Sequence, residues 1–127
     1  MRFHHLGIAC DNHEESIAFL RENFGEINVC EPIFDPLQNA TVQMISLPDG
    51  VDIELISGDA VAPFIKRNML LYHTCWSVEN ISLSIDKLVN SGAKVISEPK
   101  EAILFDNAKV AFLASSIGII ELVEDKK

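Results

Sequence analysis

The chain has 127 residues, 48% of them hydrophobic, and 19 acidic against 10 basic side chains give a formal charge of −9. That length fits one domain, and the apolar content is too high for a disordered chain. An acidic surface repels a phosphate backbone, so nucleic acid is not an expected partner, and no apolar run approaches the roughly 18 residues of a membrane span.

The opening Met1 to His5 leads straight into a polar stretch, which is not the pattern of an export signal, so the cytoplasm is the expected compartment. The three cysteines, Cys10, Cys30 and Cys75, have no CxxC spacing. They suggest buried free thiols in a reducing compartment rather than a disulfide framework or a zinc cluster.

Phe3 to Cys10 reads as a short apolar strand. Asp11 or Asn12 can cap a helix in which Ile17, Leu20 and Phe24 recur at helical spacing, and Gly25 suits its end. Ile27 to Phe34 reads as a second strand interrupted at Pro32. Thr41 to Leu47 is a third, Pro48-Asp49-Gly50 a turn, and Val51 to Ile56 a fourth strand. A connector follows over 58–69. Leu71 to Val78 is again a strand, and Asn80 can cap a helix carrying Ile81, Ile85, Leu88 and Val89 inward, with Gly92 after its end. Lys94 to Ser97, Lys109 to Leu113 and Ile117 to Val123 complete the strands, and 98–108 is expected as loop. Trp76 and Met44 are expected in the core.

The order is therefore βαβββ, connector, βαβββ, an α+β chain of two modules over 1–57 and 70–125 within one domain. Residue-level repeats support the duplication. HLGIAC from His5 parallels HTCWSV from His73, and DIELI from Asp52 parallels IIELV from Ile119. His5 and His73 stand 68 positions apart, and Glu54 and Glu121 stand 67 apart.

Each of these four polar residues interrupts an apolar strand. A carboxylate buried there is costly unless it is paired or binds a metal. Alternate residues of a strand share a face, so Glu54 and Glu121 each point away from their immediate apolar neighbours. Taken singly, such a His or Glu is more often structural or solvated. The doubled pattern instead predicts one divalent metal ion, zinc, nickel, cobalt, manganese or iron, held by His5, Glu54, His73 and Glu121. His4 is expected beside that site without ligating, and His13 is expected solvated on the first helical turn.

The opening HHLGIACDNHEESIAFLRENFG, the strand DGVDIELI, the segment LLYHTCWSVENI and the closing GIIELV together resemble the vicinal-oxygen-chelate superfamily. That superfamily contains glyoxalase I, methylmalonyl-CoA epimerase, extradiol dioxygenases and bleomycin-resistance proteins. Within it the chain is similar to the methylmalonyl-CoA epimerase and glyoxalase I branch. The resemblance implies paired modules forming an open, curved, mixed sheet around the metal. It implies ligands at the four positions named above, and an isomerase or lyase that moves a proton at a carbon adjacent to a carbonyl through a metal-stabilised enediolate.

By the same resemblance Glu121 is the base, with Glu54 a possible second. A small carbonyl or thioester substrate is implied, with Gln43, Phe34 and Gln38 as binding residues, and a homodimer is expected. Some epimerases carry a further Glu on the third strand, where Gln43 is the matching residue. Neither a CoA-type nor a glutathione-type run precedes the last strand. A bleomycin-resistance type of binding protein without catalysis is the alternative, and an extradiol dioxygenase stands behind it.

Overall fold

The structure, a computed structural model, describes residues 1–126. It divides into two units, one of residues 5–72 and one of residues 1–4 together with the chain from His73 onward.

In the first of these units, strand β1 (Arg2–Ala9), whose residues from His5 lie here, is followed by helix α1 (His13–Asn23). Strands β2 (Asn28–Val29), β3 (Ile33–Asp35), β4 (Ala40–Ser46) and β5 (Asp52–Gly58) follow, then the short helix α2 (Ala62–Lys66). The pairing order is β2-β4-β5-β1, with β3 also on β4. The β1–β5 pair is parallel and the others antiparallel. The expected strand over 27–34 is thus two short pieces, β2 and β3, because Pro32 has no amide hydrogen with which to continue a ladder.

Register fixes the two faces of this sheet. Ile45, Ile53, Leu55 and Ile8 lie on one face and pack with Ile17 of α1. The opposite face carries His5, Gly7 and Ala9 of β1, Glu54 and Ile56 of β5, and Ala40, Val42 and Met44 of β4. Met44, expected in the core, is instead the half-buried register partner of Glu54.

The other unit repeats the plan with β6 (Leu71–Val78), from His73 onward, α3 (Ile81–Asn90), β7 (Lys94–Ala102), a 3-10 turn (Ile103–Phe105), β8 (Ala108–Ser115) and β9 (Gly118–Glu124). Its pairing order is β6-β9-β8-β7. Val78, Leu113, Ile120 and Leu122 pack under Ile81 and Ile85 of α3, and Trp76 lies against this cluster as expected.

The segment 98–108, expected as loop, is largely ordered. β7 runs on to Ala102 despite Pro99, because its register with β8 shifts between Ser97 and Lys100 and the proline sits inside that irregularity. Asp106 and Asn107, both at positive φ, then turn the chain into β8.

The two modules begin their helices identically. Asn12 and Asn80 have φ/ψ of −137°/109° and −136°/108°, and each side chain accepts from the amide three residues on, Glu15 and Leu83. This is the capping geometry that satisfies an exposed first-turn N–H. No helix among the described residues is long and apolar enough to cross a membrane.

Candidate metal and proton-transfer site

Each unit sets one histidine against one glutamate. In the first, His5 of β1 and Glu54 of β5 share the face turned away from α1, and Nε2 lies 3.8 Å from Oε1. In the second, His73 of β6 and Glu121 of β9 share the face turned away from α3, with Nε2 and Oε1 3.1 Å apart. All four residues are buried, none more than 4% exposed. Alternation explains the placement. Ile53 and Leu55, like Ile120 and Leu122, join the helix-side cores, so the intervening carboxylate must point the other way.

The surroundings of the two pairs differ. Glu121 has Cys75 and Phe112 as its register neighbours, and the Phe112 ring stands edge-on to His73 at 5.5 Å and 79°. Glu54 has Gly7 and Met44. Two ligand atoms bound to one ion at about 2.1 Å each, near tetrahedral or octahedral angles, stand roughly 3–3.4 Å apart. The 3.1 Å pair meets that spacing, and the 3.8 Å pair needs only a small side-chain adjustment. Imidazole nitrogen with carboxylate oxygen is a donor set that suits zinc, nickel, cobalt, manganese or iron.

The expected substrate residues separate. Gln43 pairs in register with Leu55, and Phe34 with Thr41, so both lie on the α1 side of the sheet, opposite Glu54. Gln43 is occupied there: its Nε2 donates to the Cys30 carbonyl at 2.8 Å and its Oε1 meets His13 Nδ1 at 2.9 Å. The β4 residue beside Glu54 is therefore Met44, and Gln43 does not hold the place of an opposing acid.

His13, expected in solvent, is half-buried, and its Nε2 lies 2.8 Å from Ser57 Oγ. With Gln43 Nε2 committed to a carbonyl, Gln43 Oε1 must accept, which places a proton on His13 Nδ1. In the neutral ring, Nε2 then accepts from Ser57.

Gln38 is placed differently. Its Nε2 donates at 2.9 Å to Oδ2 of Asp35, and Asp35 Oδ1 accepts from the Leu37 amide at 2.9 Å. Asp35 is 3% exposed and pairs with Ala40, so it lies on Glu54's face. Its position just before the third strand, beside Phe34, Leu37 and Gln38, made it a candidate pocket residue without a role of its own. The available signal was an acid closing an apolar strand just before a proline turn. His4 is half-buried with its ring edge-on to Phe105 at 5.4 Å.

Known proteins resemble this chain in sequence and in fold. The family model described as the Glyoxalase/Bleomycin resistance protein/Dioxygenase superfamily matches residues 4–112. An ethylmalonyl-CoA/methylmalonyl-CoA epimerase of Cereibacter sphaeroides is 34% identical over 107 residues, 78% of each chain. Among solved structures, methylmalonyl-CoA epimerase from Mycobacterium tuberculosis superposes with a TM-score of 0.84 at 17% identity, covering 99% of this chain and 89% of that one. A Streptomyces coelicolor methylmalonyl-CoA epimerase in complex with 2-nitronate-propionyl-CoA gives 0.81 at 19% identity, covering 98% and 94%. The α+β fold of paired βαβββ modules is thus the fold of these proteins.

Proposed function

Because the chain belongs to the Glyoxalase/Bleomycin resistance protein/Dioxygenase superfamily, we propose that it is a metal-dependent enzyme that moves a proton at the carbon next to the carbonyl of an acyl thioester of CoA. The observation that carries this reading is the repeated pairing of one sealed imidazole with one sealed carboxylate, once in each module. The thioester class is supported by the epimerase relatives, which are named for CoA esters.

His5, Glu54, His73 and Glu121 would together hold one divalent cation. When bound, the cation would polarise the substrate carbonyl oxygen and stabilise negative charge developing on it. The chain's own residues carry the proton. Glu121 takes it from the carbon, and its buried position raises the cost of leaving that carboxylate charged as substrate excludes water.

Inverting the carbon needs a second group on the other side of the reacting atom. β4 brings only Ala40, Val42, Met44 and Ser46 to Glu54's face, and none can titrate there. Asp35, the other carboxylate on that face, is bonded to the Leu37 amide and to Gln38, so the second proton transfer is assigned to Glu54. His5 and His73 hold their carboxylates in orientation, and the Phe112 ring stands edge-on to His73.

The test is proton exchange. Protein loaded with zinc, cobalt, nickel, manganese or iron is incubated with methylmalonyl-CoA in deuterated water, and deuterium at the carbon between the carbonyls is followed by mass spectrometry. Exchange above the uncatalysed rate is expected. Glu121→Gln should slow it by about 10²–10⁴-fold, the usual contribution of a positioned general base. No exchange with any of the five metals would refute the reading.

A further inference from the structure

The Asp35–Gln38 pair is built in a way that its local turn does not require. Asp35 ends β3 on the same face as Glu54, and only 3% of it is exposed. Its neighbours on that face, Ala40, Val42 and Ile56, are apolar and buried. A carboxylate in such surroundings is expensive, and an asparagine could close the same turn by accepting from the Leu37 amide.

What only an aspartate can do is fix the polarity of Gln38. A carboxylate accepts and never donates, so the Gln38 amide must turn its NH2 end inward, as the 2.9 Å bond from Nε2 to Oδ2 shows. The carbonyl oxygen Oε1 is the end of the amide that does not meet Asp35, in a side chain that is half-buried rather than sealed.

The loop that carries the pair is braced from β5. Asn39, at φ +50°, donates from Nδ2 to Asp59 Oδ2 at 2.8 Å. Its carbonyl oxygen lies 2.9 Å from where a Cβ on Gly58 would stand, so only glycine at position 58 lets the two backbones approach. The braced loop thus holds an amide of set polarity against Asp35, whose strand position lies on the face that bears Glu54.

We propose that Asp35 is a positioning residue that turns the Gln38 carbonyl outward, and that Gln38 Oε1 receives an amide N–H from the non-reacting arm of the substrate. This specifies the substrate end of the site under the thioester reading above, on which it rests. The arm of CoA that ends in the thiol carries two secondary amides, which is the donor chemistry such an acceptor would select. A site that aims an acceptor at a donor discriminates strongly, because replacing either partner by its opposite leaves two like groups facing each other.

The experiment titrates coenzyme A into metal-loaded wild type, Asp35→Asn and Gln38→Leu, followed by NMR chemical-shift changes, with adenosine 3′,5′-diphosphate as a probe lacking the amide arm. Asp35→Asn keeps the turn, but its side chain can now donate, so Gln38 turns its carbonyl inward and presents NH2. Coenzyme A affinity should fall about tenfold in each variant, one hydrogen bond's worth. The double variant should be no weaker than Gln38→Leu, and affinity for the diphosphate should be unchanged.

In turnover of methylmalonyl-CoA, Asp35→Asn should raise KM about tenfold with kcat held within about twofold. KM for the amide-free ethanethiol ester should stay the same. Coenzyme A binding that ignores both substitutions, or fails in wild type, overturns the inference. Binding that depends on Asp35 in a protein that catalyses no exchange supports the inference and overturns the reaction instead.

Discussion

His73 Nε2 lies 3.1 Å from Glu121 Oε1, with both side chains shut away from water. Removing one member leaves the other buried and mismatched, which typically costs several kcal/mol. A cation shared with His5 and Glu54 would offset the burial of all four groups, so stability should follow metal content. Protein dialysed against a chelator is expected to melt about 10 °C below protein held at 100 times the dissociation constant for zinc, by mass action on a chain of this size. His73→Ala should lose that difference along with its stoichiometric metal. Equal melting temperatures with and without chelator, and no ion by elemental analysis, would argue against a bound cation.

His13 sits on the other side of the sheet from Glu54, and its role is structural. His13→Ala takes the partner from Gln43 Oε1 and from the Ser57 hydroxyl, both held at under 3 Å. A loss of about 1–3 kcal/mol in unfolding free energy is expected from denaturant titration. Deuterium exchange into substrate should stay within about twofold of wild type. A large loss of turnover at unchanged stability would instead place His13 in the chemistry.

The thiols should separate by reactivity. Cys10 and Cys75 are buried as expected, but Cys30, just past the end of the short strand β2, is exposed. Burial pushes the Cys10 thiol up, the Asp11 charge adds to that, and a hydrogen bond with Ser16 opposes it. A raised value means less thiolate at pH 8, and thiolate is the species that reacts. Iodoacetamide on the native protein should therefore label Cys30 first, with Cys10 and Cys75 following only as the chain unfolds. Mass spectrometry of timed samples tests this, and fast labelling of Cys10 would contradict its placement.

Much of the molecule was legible in residue order. Asn12 and Asn80 announce their helices because a cap is a local interaction, complete within four residues. Glu54 and Glu121 stand out because a charge in an unbroken apolar strand has only one face to occupy. Legibility ended where strand phase was lost. Pro32 breaks the count between β2 and β3, so which of Phe34 and Asp35 shares Glu54's face depends on pairing with β4, a contact that sequence spacing cannot supply. Gln43 failed for the same reason by a single step, since a shift of one residue exchanges the faces of a strand. The ordered stretch past Pro99 was hidden because a proline normally argues against a strand, and only a register shift accommodates it.

A chain made of two near-copies risks docking the wrong helix on the wrong sheet while it folds. The His13 ring contacts with Gln43 and Ser57 are not repeated in the second module, where Ile81 and Ala111 stand at the positions 68 residues on, both buried in an apolar cluster, and the helix start is met instead by Glu124, whose Oε2 accepts from the Ile81 amide at 2.9 Å. Seating α3 over β4 and β5 would strand two polar groups, and seating α1 over β8 and β9 would press an imidazole into hydrocarbon. Those side chains therefore make the two helix seats chemically distinct, so that near-copies of one plan are not interchangeable.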